Sequence, residues 1–345
     1  MREPRRILIA SLLLLAVATL GRAAQAEAVE DFYRNRQIRL VIGNAVGAEY
    51  DLGGRLLARH LGRHIPGHPV IVVQNMQGAA GILATNYINN AAPRDGSVFA
   101  SVSRNIPIQA VLGRDNLKSD PRRFGWIGGS GLPGRVCYVR ASSPIRSAQD
   151  LFERELIVGG AGAGSSLSFV PIVLQRVLHM RFRVVDGYRG IADAVVALQR
   201  GEIEGICHGY NTLKTTHAAL LRDRQIRLLL RAEEAPLPDG AEVPSVYDYA
   251  RSADEKQILR FIFSAVEFGR PYFAPPDIPA DRLHALQAAF AAAHADPELI
   301  AEAERLKIDM SYRPPEALRK LAEDLFATPG ELIQRVQRTM PAPGD

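Results

Sequence analysis

Cysteine is almost absent: Cys137 and Cys207 are the only two in 345 residues. That excludes a disulfide-built miniature scaffold and a Cys-rich zinc module. In an exported chain such a pair points either to one disulfide or to two buried thiols. Each sits in a strand-like run, VCYV and GICHGY, and adjacent strands can bring them together where geometry allows. There is no basic run and no basic patch interleaved with aromatics, so no nucleic-acid footprint. Beyond the first 26 residues no stretch is apolar enough to span a bilayer, which takes about 20 residues. Catalytic signatures are missing as well. The chain has no G-x-x-x-x-G-K-[ST], no G-x-G-x-x-G register, no G-x-S-x-G, and no Ser/His/Asp set at diagnostic spacing. No pair of carboxylates stands out for acid–base work.

What is present begins with a targeting segment. Arg2, Arg5 and Arg6 precede an apolar run of 14 residues, Ile7 to Leu20, and Ala24-Gln25-Ala26 offers small residues for cleavage. This is the three-part layout of a secretory signal peptide over residues 1–26, which places the mature chain in the periplasm. No Cys lies near the cleavage site, which argues against a lipid anchor. Cleavage removes four Arg and one Glu, so the net charge falls from +5 to +2. The basic balance of the whole chain overstates that of the working protein. Residues 27–345 suffice for two domains of ordinary size.

Strand and helix patterns then alternate. Gln37–Ile42, Val70–Val73 and Ser97–Val102 read as strands, with helical spacing over Leu52–His64 and Ile82–Asn90 between them. This β-α-β-α-β order is that of a mostly parallel α/β sheet. Trp126–Gly129 and Val136–Arg140 are short strands joined by a Gly/Pro turn, a natural crossing into a second lobe. Strands Leu156–Gly160, Phe182–Val185 and Ile203–Cys207 follow, with helices Leu167–Leu178 and Ile191–Gln199. Ile226–Leu230 is a strand that can return to the first lobe. The rest reads as helices: Asp254–Phe263, Asp281–Ala293, Asp296–Lys307 and Pro315–Phe326, with Asp281 and Asp296 as caps. The expected fold is α/β, two α/β lobes with a hinge and an interlobe cleft. Lobe 1 takes residues 27–135 plus 231–345, and lobe 2 takes the inserted 136–230.

The stretch Glu155–Val170 (ELIVGGAGAGSSLSFV) organises this reading. A short apolar strand runs into Gly159, Gly160, Gly162 and Gly164, then into Ser165 and Ser166, where a helix can start. Strand, glycine turn and helix start together expose N–H groups at the positive end of a helix dipole, a place that binds anions. The alternative is a tight turn that holds nothing. Glycine turns at 43–51 and 75–81 also follow strands, and ligands of open α/β sheets collect at the carboxyl ends of strands.

Residues IRLVIGNAVGAEYD…LLARHLGRHIPGHPVIVVQNMQGAAG resemble the extracytoplasmic solute receptors of the tripartite tricarboxylate transporters, the TctC-like Bug receptors. Further stretches match in order: NYINNAAPRDG over Asn86–Gly96, the glycine-serine loop Ile157–Ser166, the turn Gly187-Tyr188-Arg189-Gly190, LQRGEIEGIC over Leu198–Cys207, Val243–Tyr247, and RPYFAPPDIPADR over Arg270–Arg282. The similarity covers nearly all of residues 33–340. Single motifs are weak; their order and spacing are specific. The resemblance implies a periplasmic binding protein type II-like fold, no catalysis and no cofactor. It implies capture of a small organic carboxylate, a di- or tricarboxylate or a related acid, and delivery to the membrane permease subunits of such a transporter. Carried over by position, the ligand is held by Asn44, Ala45, Val46, Gly47, Ala48, Glu49 and Tyr50, and by Gly162, Gly164, Ser165 and Ser166. Tyr188, Arg189, His208 and Tyr210 fall at other ligand-facing positions, and Gln77 lies in the second glycine turn. One departure stands out. The family usually has a glycine run before the Asp of the first loop, and Glu49 stands here instead, adding bulk and a carboxylate.

Each candidate has an ordinary alternative. Arg104, after the strand Ser97–Val102, can clamp a carboxylate through two parallel hydrogen bonds or be a surface Arg. Ser165 and Ser166 can donate to ligand as well as cap a helix. Tyr188 and Tyr210 can line a pocket or pack in the core. Asp51 reads as a cap of the following helix. His60 and His64 stand at i and i+4, a workable metal spacing, with His68 nearby, but the helix lacks the glutamate of H-E-x-x-H. Solvated or half-packed histidines are the plainer reading, and no metal is assigned. The alternative functions are an exported metal carrier or enzyme using the same cleft or the His60/His64 helix, or a sensing receptor without its own transporter. The chain is read as a monomer.

Overall fold

The computed structural model describes residues 27–339 apart from 114–115, 132–133, 162–164 and 238, and not the side chains of Ala80 and Ser166. The segment read as a signal peptide, Met1–Ala26, and the candidates Gly162 and Gly164 lie outside the described residues. In chain order the elements are α1 (residues 27–33), β1 (Gln37–Ile42), α2 (Glu49–Leu61), β2 (Val70–Asn75), α3 (Ile82–Asn90), β3 (Val98–Ser101), α4 (Ile106–Val111), β4 (Gly125–Ser130) and β5 (Arg135–Arg140). There follow β6 (Leu156–Gly159), α5 (Ser166–Leu178), β7 (Phe182–Val185), α6 (Ile191–Arg200), β8 (Gly205–Gly209), α7 (Tyr210–Thr216), α8 (Ala218–Arg222) and β9 (Ile226–Arg231). The chain closes with α9 (Ala253–Phe263), β10 (Arg270–Ala274), α10 (Ala280–His294), α11 (Pro297–Leu306), β11 (Tyr312–Arg313), α12 (Pro315–Phe326) and α13 (Gly330–Thr339). The strands form two sheets, ordered β11-β4-β10-β3-β1-β2 and β7-β6-β8-β5-β9.

Two compact units emerge. One comprises residues up to Val102, Arg123–Gly128 and Tyr272–Glu302; the other Ser103–Arg122, Gly129–Pro271 and the chain from Ala303 onward. In the first, β1 runs parallel to both β2 and β3, so its side chains are covered on both sides. The run Leu40-Val41-Ile42 is wholly buried for that reason. Helix α2 lays Leu56, Leu57 and Leu61 on this sheet. It comes close because Gly54 has no Cβ, which would otherwise stand 2.6 Å from Ile42. Phe124 stacks on Phe273 at 4.2 Å, with Trp126 edge-on to the same ring at 5.6 Å.

In the second unit β6 is parallel to β7 and β8, while β5 is antiparallel to β8 and β9. Tyr138, Leu167, Leu198, Ile206 and Leu213 form its core. Cys137 pairs directly with Cys207 across β5 and β8, and the two sulfurs are bonded. Of the two readings of the cysteines, the disulfide is the one present. β9 lies at the edge of this same sheet.

The mixed α/β class expected from the alternation is the one observed. Several details differ, and α4, α7, α8, α13, β10 and β11 were not expected. Helix α2 starts three residues before Leu52, and β8 lies two residues beyond the expected strand. Asp281 is not a cap: Pro279 precedes the first turn of α10, and Asp281 is its second residue. Asp296 does act as one, accepting the Glu298 N–H at 2.9 Å.

Candidate functional site

The first candidate loop leaves β1 at Gly43 and enters α2 at Glu49. Gly43 is held to β3 by its N–H on Ser101 O at 3.0 Å. Gly47 takes φ +81, a conformation open to glycine. Ala48 occupies the cap position of α2 and its methyl side chain makes no cap hydrogen bond. Ala45, Val46, Gly47 and Glu49 are exposed, Val46 to 73%, whereas Tyr50 turns into the core. Gln77, in the next turn, is also exposed.

Asp51 holds this loop from beneath, and it is not the cap expected from the sequence. It is the third residue of α2, buried, and its Oδ2 accepts the N–H of Gly47 at 2.8 Å. The carboxylate therefore serves the loop before the helix, not the helix's own first turn. Its Oδ1 accepts from Arg55 Nε at 2.9 Å and from Asn75 Nδ2 at 2.8 Å. Asn75 Nδ2 also reaches Asn44 O at 3.0 Å, and Arg55 Nη2 reaches Asn75 Oδ1 at 2.8 Å. Burial alone would raise the Asp51 pKa. The donors from Arg55, Gly47 and Asn75 outweigh it and hold the pKa below the ordinary value. Asn75 and Arg55 were not singled out in the sequence, and only their contacts reveal them.

The second candidate loop leaves β6 at Gly159 and enters α5. Ser165 is the cap, its Oγ accepting from Ser168 N at 3.2 Å. Ala161 N–H points at Ser165 Oγ (3.3 Å) and Ser168 Oγ (3.1 Å). Ser168, wholly buried, donates to Asp186 Oδ1 at 2.7 Å. Gly160 is indispensable here. A Cβ on it would collide with the Asp186 carboxylate and stand 2.5 Å from Ser168 Oγ. Ser166 is the first residue of α5. Tyr188 joins this loop: its N–H bonds Gly160 O at 3.2 Å, and its ring would be 3.3 Å from a Cβ on Gly159. Ser168 and Asp186 escaped the sequence reading, since nothing in SLSFV or VVDGY marks them.

The other candidates are placed more plainly. Arg104 is half-buried just before α4. Arg189 is 89% exposed and pairs with Asp193, in the first turn of α6, at 2.8 Å. His208 is half-buried on β8 opposite Val136. Tyr210 is buried, and its hydroxyl donates to Asp239 at 2.9 Å. Burial and that carboxylate push its pKa up to about 12. Asp239, bonded first by Lys214 and also by Tyr210, is pulled down to about 2.

The histidines of α2 are already engaged. His60 Nε2 stands 2.6 Å from Glu302, and His64 Nε2 stands 2.8 Å from Asp296. Arg59 and Arg63 bond the same two carboxylates. Among the described residues no group of three or more His, Cys, Asp or Glu could hold a metal ion, and no helix is long and apolar enough to cross a membrane.

No family model matches the chain. A Cupriavidus necator protein, described as "UPF0065 protein in gbd 5'region", is 30% identical over 199 residues, 55% of this chain and 59% of its own length. The chain thus aligns with less than two thirds of that relative. A Polaromonas TctC solute-binding protein, solved without ligand, superposes with a TM-score of 0.66 at 21% identity, covering 88% of this chain and 99% of that one. The MatC protein of Rhodopseudomonas palustris, with malate bound, gives 0.59 at 19% identity over 86% and 99%. A second R. palustris protein, with adipate, gives 0.60 at 20% over 88% and 97%. The resemblance drawn from the sequence holds: the chain has the type II periplasmic-binding-protein fold of the TctC-like solute-binding proteins.

Proposed function

We propose that the chain is an extracytoplasmic solute receptor of the tripartite tricarboxylate transporter family. It captures a small organic carboxylate in the periplasm and delivers it to membrane permease subunits. It catalyses nothing. Residues 1–26 are its cleaved export signal, and the lobes are 27–135 with 231–345, and 136–230.

One observation carries this reading. In each unit a parallel strand feeds a loop into the N-terminus of a helix, and a carboxylate-centred network anchors the loop from below. Asp51 does this in the first loop, and Ser168 with Asp186 in the second. Such loops offer backbone N–H groups in fixed positions, which suits a ligand carboxylate. Solved proteins of the same fold hold malate and adipate. Glu49, exposed at the start of α2, adds negative charge beside the first loop and weighs against a highly charged ligand.

The test is a thermal-shift screen of the mature protein against mono-, di- and tricarboxylates, malate and adipate included. A ligand at a hundred times its Kd stabilises the native state by about 2.7 kcal/mol, which the melting temperature reports. Changing Ser165 and Ser166 together to Ala should then weaken binding by about 1–3 kcal/mol. If no organic acid in the panel moves the melting temperature, the proposal fails.

A further inference from the structure

We propose that Asp186, acting through Ser168, sets the direction of the hydroxyl dipoles in the second loop, so that Ser165 meets its ligand as a proton donor. This rests on the reading of that loop as a carboxylate site. It makes Asp186 and Ser168 positioning residues.

The argument is one of donor and acceptor valence. An ionised carboxylate only accepts hydrogen bonds. The Ser168 hydroxyl, 2.7 Å from Asp186 Oδ1, must therefore donate to it. Ser168 is wholly buried, so water offers its proton no other partner. With that proton committed, Ser168 Oγ can only accept from its other neighbours, the Ala161 N–H at 3.1 Å and Ser165 at 3.1 Å. Ser165 Oγ accepts the Ser168 N–H at 3.2 Å and shares the one Ala161 hydrogen, 3.3 Å away, with Ser168 Oγ. Between the two hydroxyls Ser165 is therefore the donor, since Ser168 has no proton left to give it. That proton is directed either at Ser168 Oγ or at an anion arriving at the start of α5. A dipole fixed before the ligand arrives needs no reorganisation when it binds. Gly160 completes the device, since any side chain there would drive Asp186 and Ser168 apart.

A simpler view predicts the opposite. Asp186 is an exposed anion close to a loop meant for anions, so plain Coulomb repulsion says that neutralising it should tighten binding. The sign of the effect decides.

The acid that most raises the melting temperature of the mature protein in the carboxylate panel is titrated by calorimetry. The proteins are wild type, Asp186→Asn, Ser168→Ala, Ser165→Ala and the double variant Asp186→Asn/Ser165→Ala. Asp186→Asn and Ser168→Ala should each weaken binding on the order of tenfold, as should Ser165→Ala. The double variant should be no weaker than the weaker single, because both changes remove the same donated proton. Unchanged or tighter binding in Asp186→Asn, or losses that add in the double variant, would overturn the inference. So would wild-type affinity in Ser168→Ala, which also serves if Asp186→Asn does not fold. Weakening by Ser165→Ala alone sinks only this inference. No effect of Ser165→Ala, or no acid bound at all, sinks the reading of the loop on which it rests.

Discussion

At Asp51 one side chain shows why a local rule can name the right residue and the wrong role. An aspartate ahead of an apolar helical pattern reads as a cap. The helix starts earlier than its apolar spacing, so Asp51 falls inside the first turn and reaches back to Gly47. Only the fold of the loop reveals this, because Gly47 must first adopt φ +81. Asp51→Ala removes a buried carboxylate together with its bonds to the Gly47 N–H, Arg55 and Asn75, a cost of roughly 1–3 kcal/mol by urea denaturation. The pH dependence follows from the lowered pKa. Its stabilisation is complete above the ordinary aspartate value of 3.8 and is lost as pH falls through the depressed value. Wild type should lose stability over that acid range faster than Asp51→Ala, and parallel acid limbs would refute the role. Ser165 was legible as a cap because its partner is three residues away. Ser168 and Asp186 were not, because their meeting joins residues 18 apart through a strand pairing.

Among the elements, those with a strong period were readable and those set by tertiary context were not. β1, β2 and β3 announce themselves by apolar runs between glycine turns. RPYFA, with a proline in it, is assigned no strand from the sequence, yet β10 forms there: all five residues are buried and Tyr272 and Phe273 pair with β3. Pairing of this kind comes from a distant segment, which no local pattern encodes. The histidines of α2 are a similar case: their spacing allows a metal but reads more plainly as solvated or half-packed side chains, and their partners lie some 230 to 240 positions further on, around α11. Burial would raise the Asp296 pKa, but the Glu298 N–H, His64 and Arg63 together bring it down to about 2. The contribution of Asp296 is therefore full above 3.8 and fades as pH drops toward about 2. Hydrogen exchange should show α11 losing protection over that interval in wild type, and already at neutral pH in Asp296→Asn. Equal protection in the two proteins would remove Asp296 as the anchor of α11.

For the whole molecule, the order of elements was enough to read two α/β units, because a parallel strand pair requires a crossover helix and the alternation of patterns records it. Whether Cys137 and Cys207 were joined was not readable, since both a free thiol and a half-cystine suit a buried strand. The answer depends on register, which puts the two directly opposite each other on β5 and β8. Their bond closes a loop with a sequence separation of 70 and lies entirely in the second unit. On the chain-entropy account, losing it costs that unit about 4 kcal/mol. The single tryptophan, Trp126, is buried in the first unit and reports on that unit alone. Two probes can thus separate the units: tryptophan fluorescence follows one, and far-ultraviolet circular dichroism follows both. In oxidised protein the two urea transitions should lie close together. In Cys137→Ala/Cys207→Ala the dichroism should begin to fall at lower urea while the fluorescence midpoint stays near its oxidised value. Coincident transitions shifted equally by the substitutions would mean that the chain unfolds as one cooperative body, with the disulfide stabilising all of it.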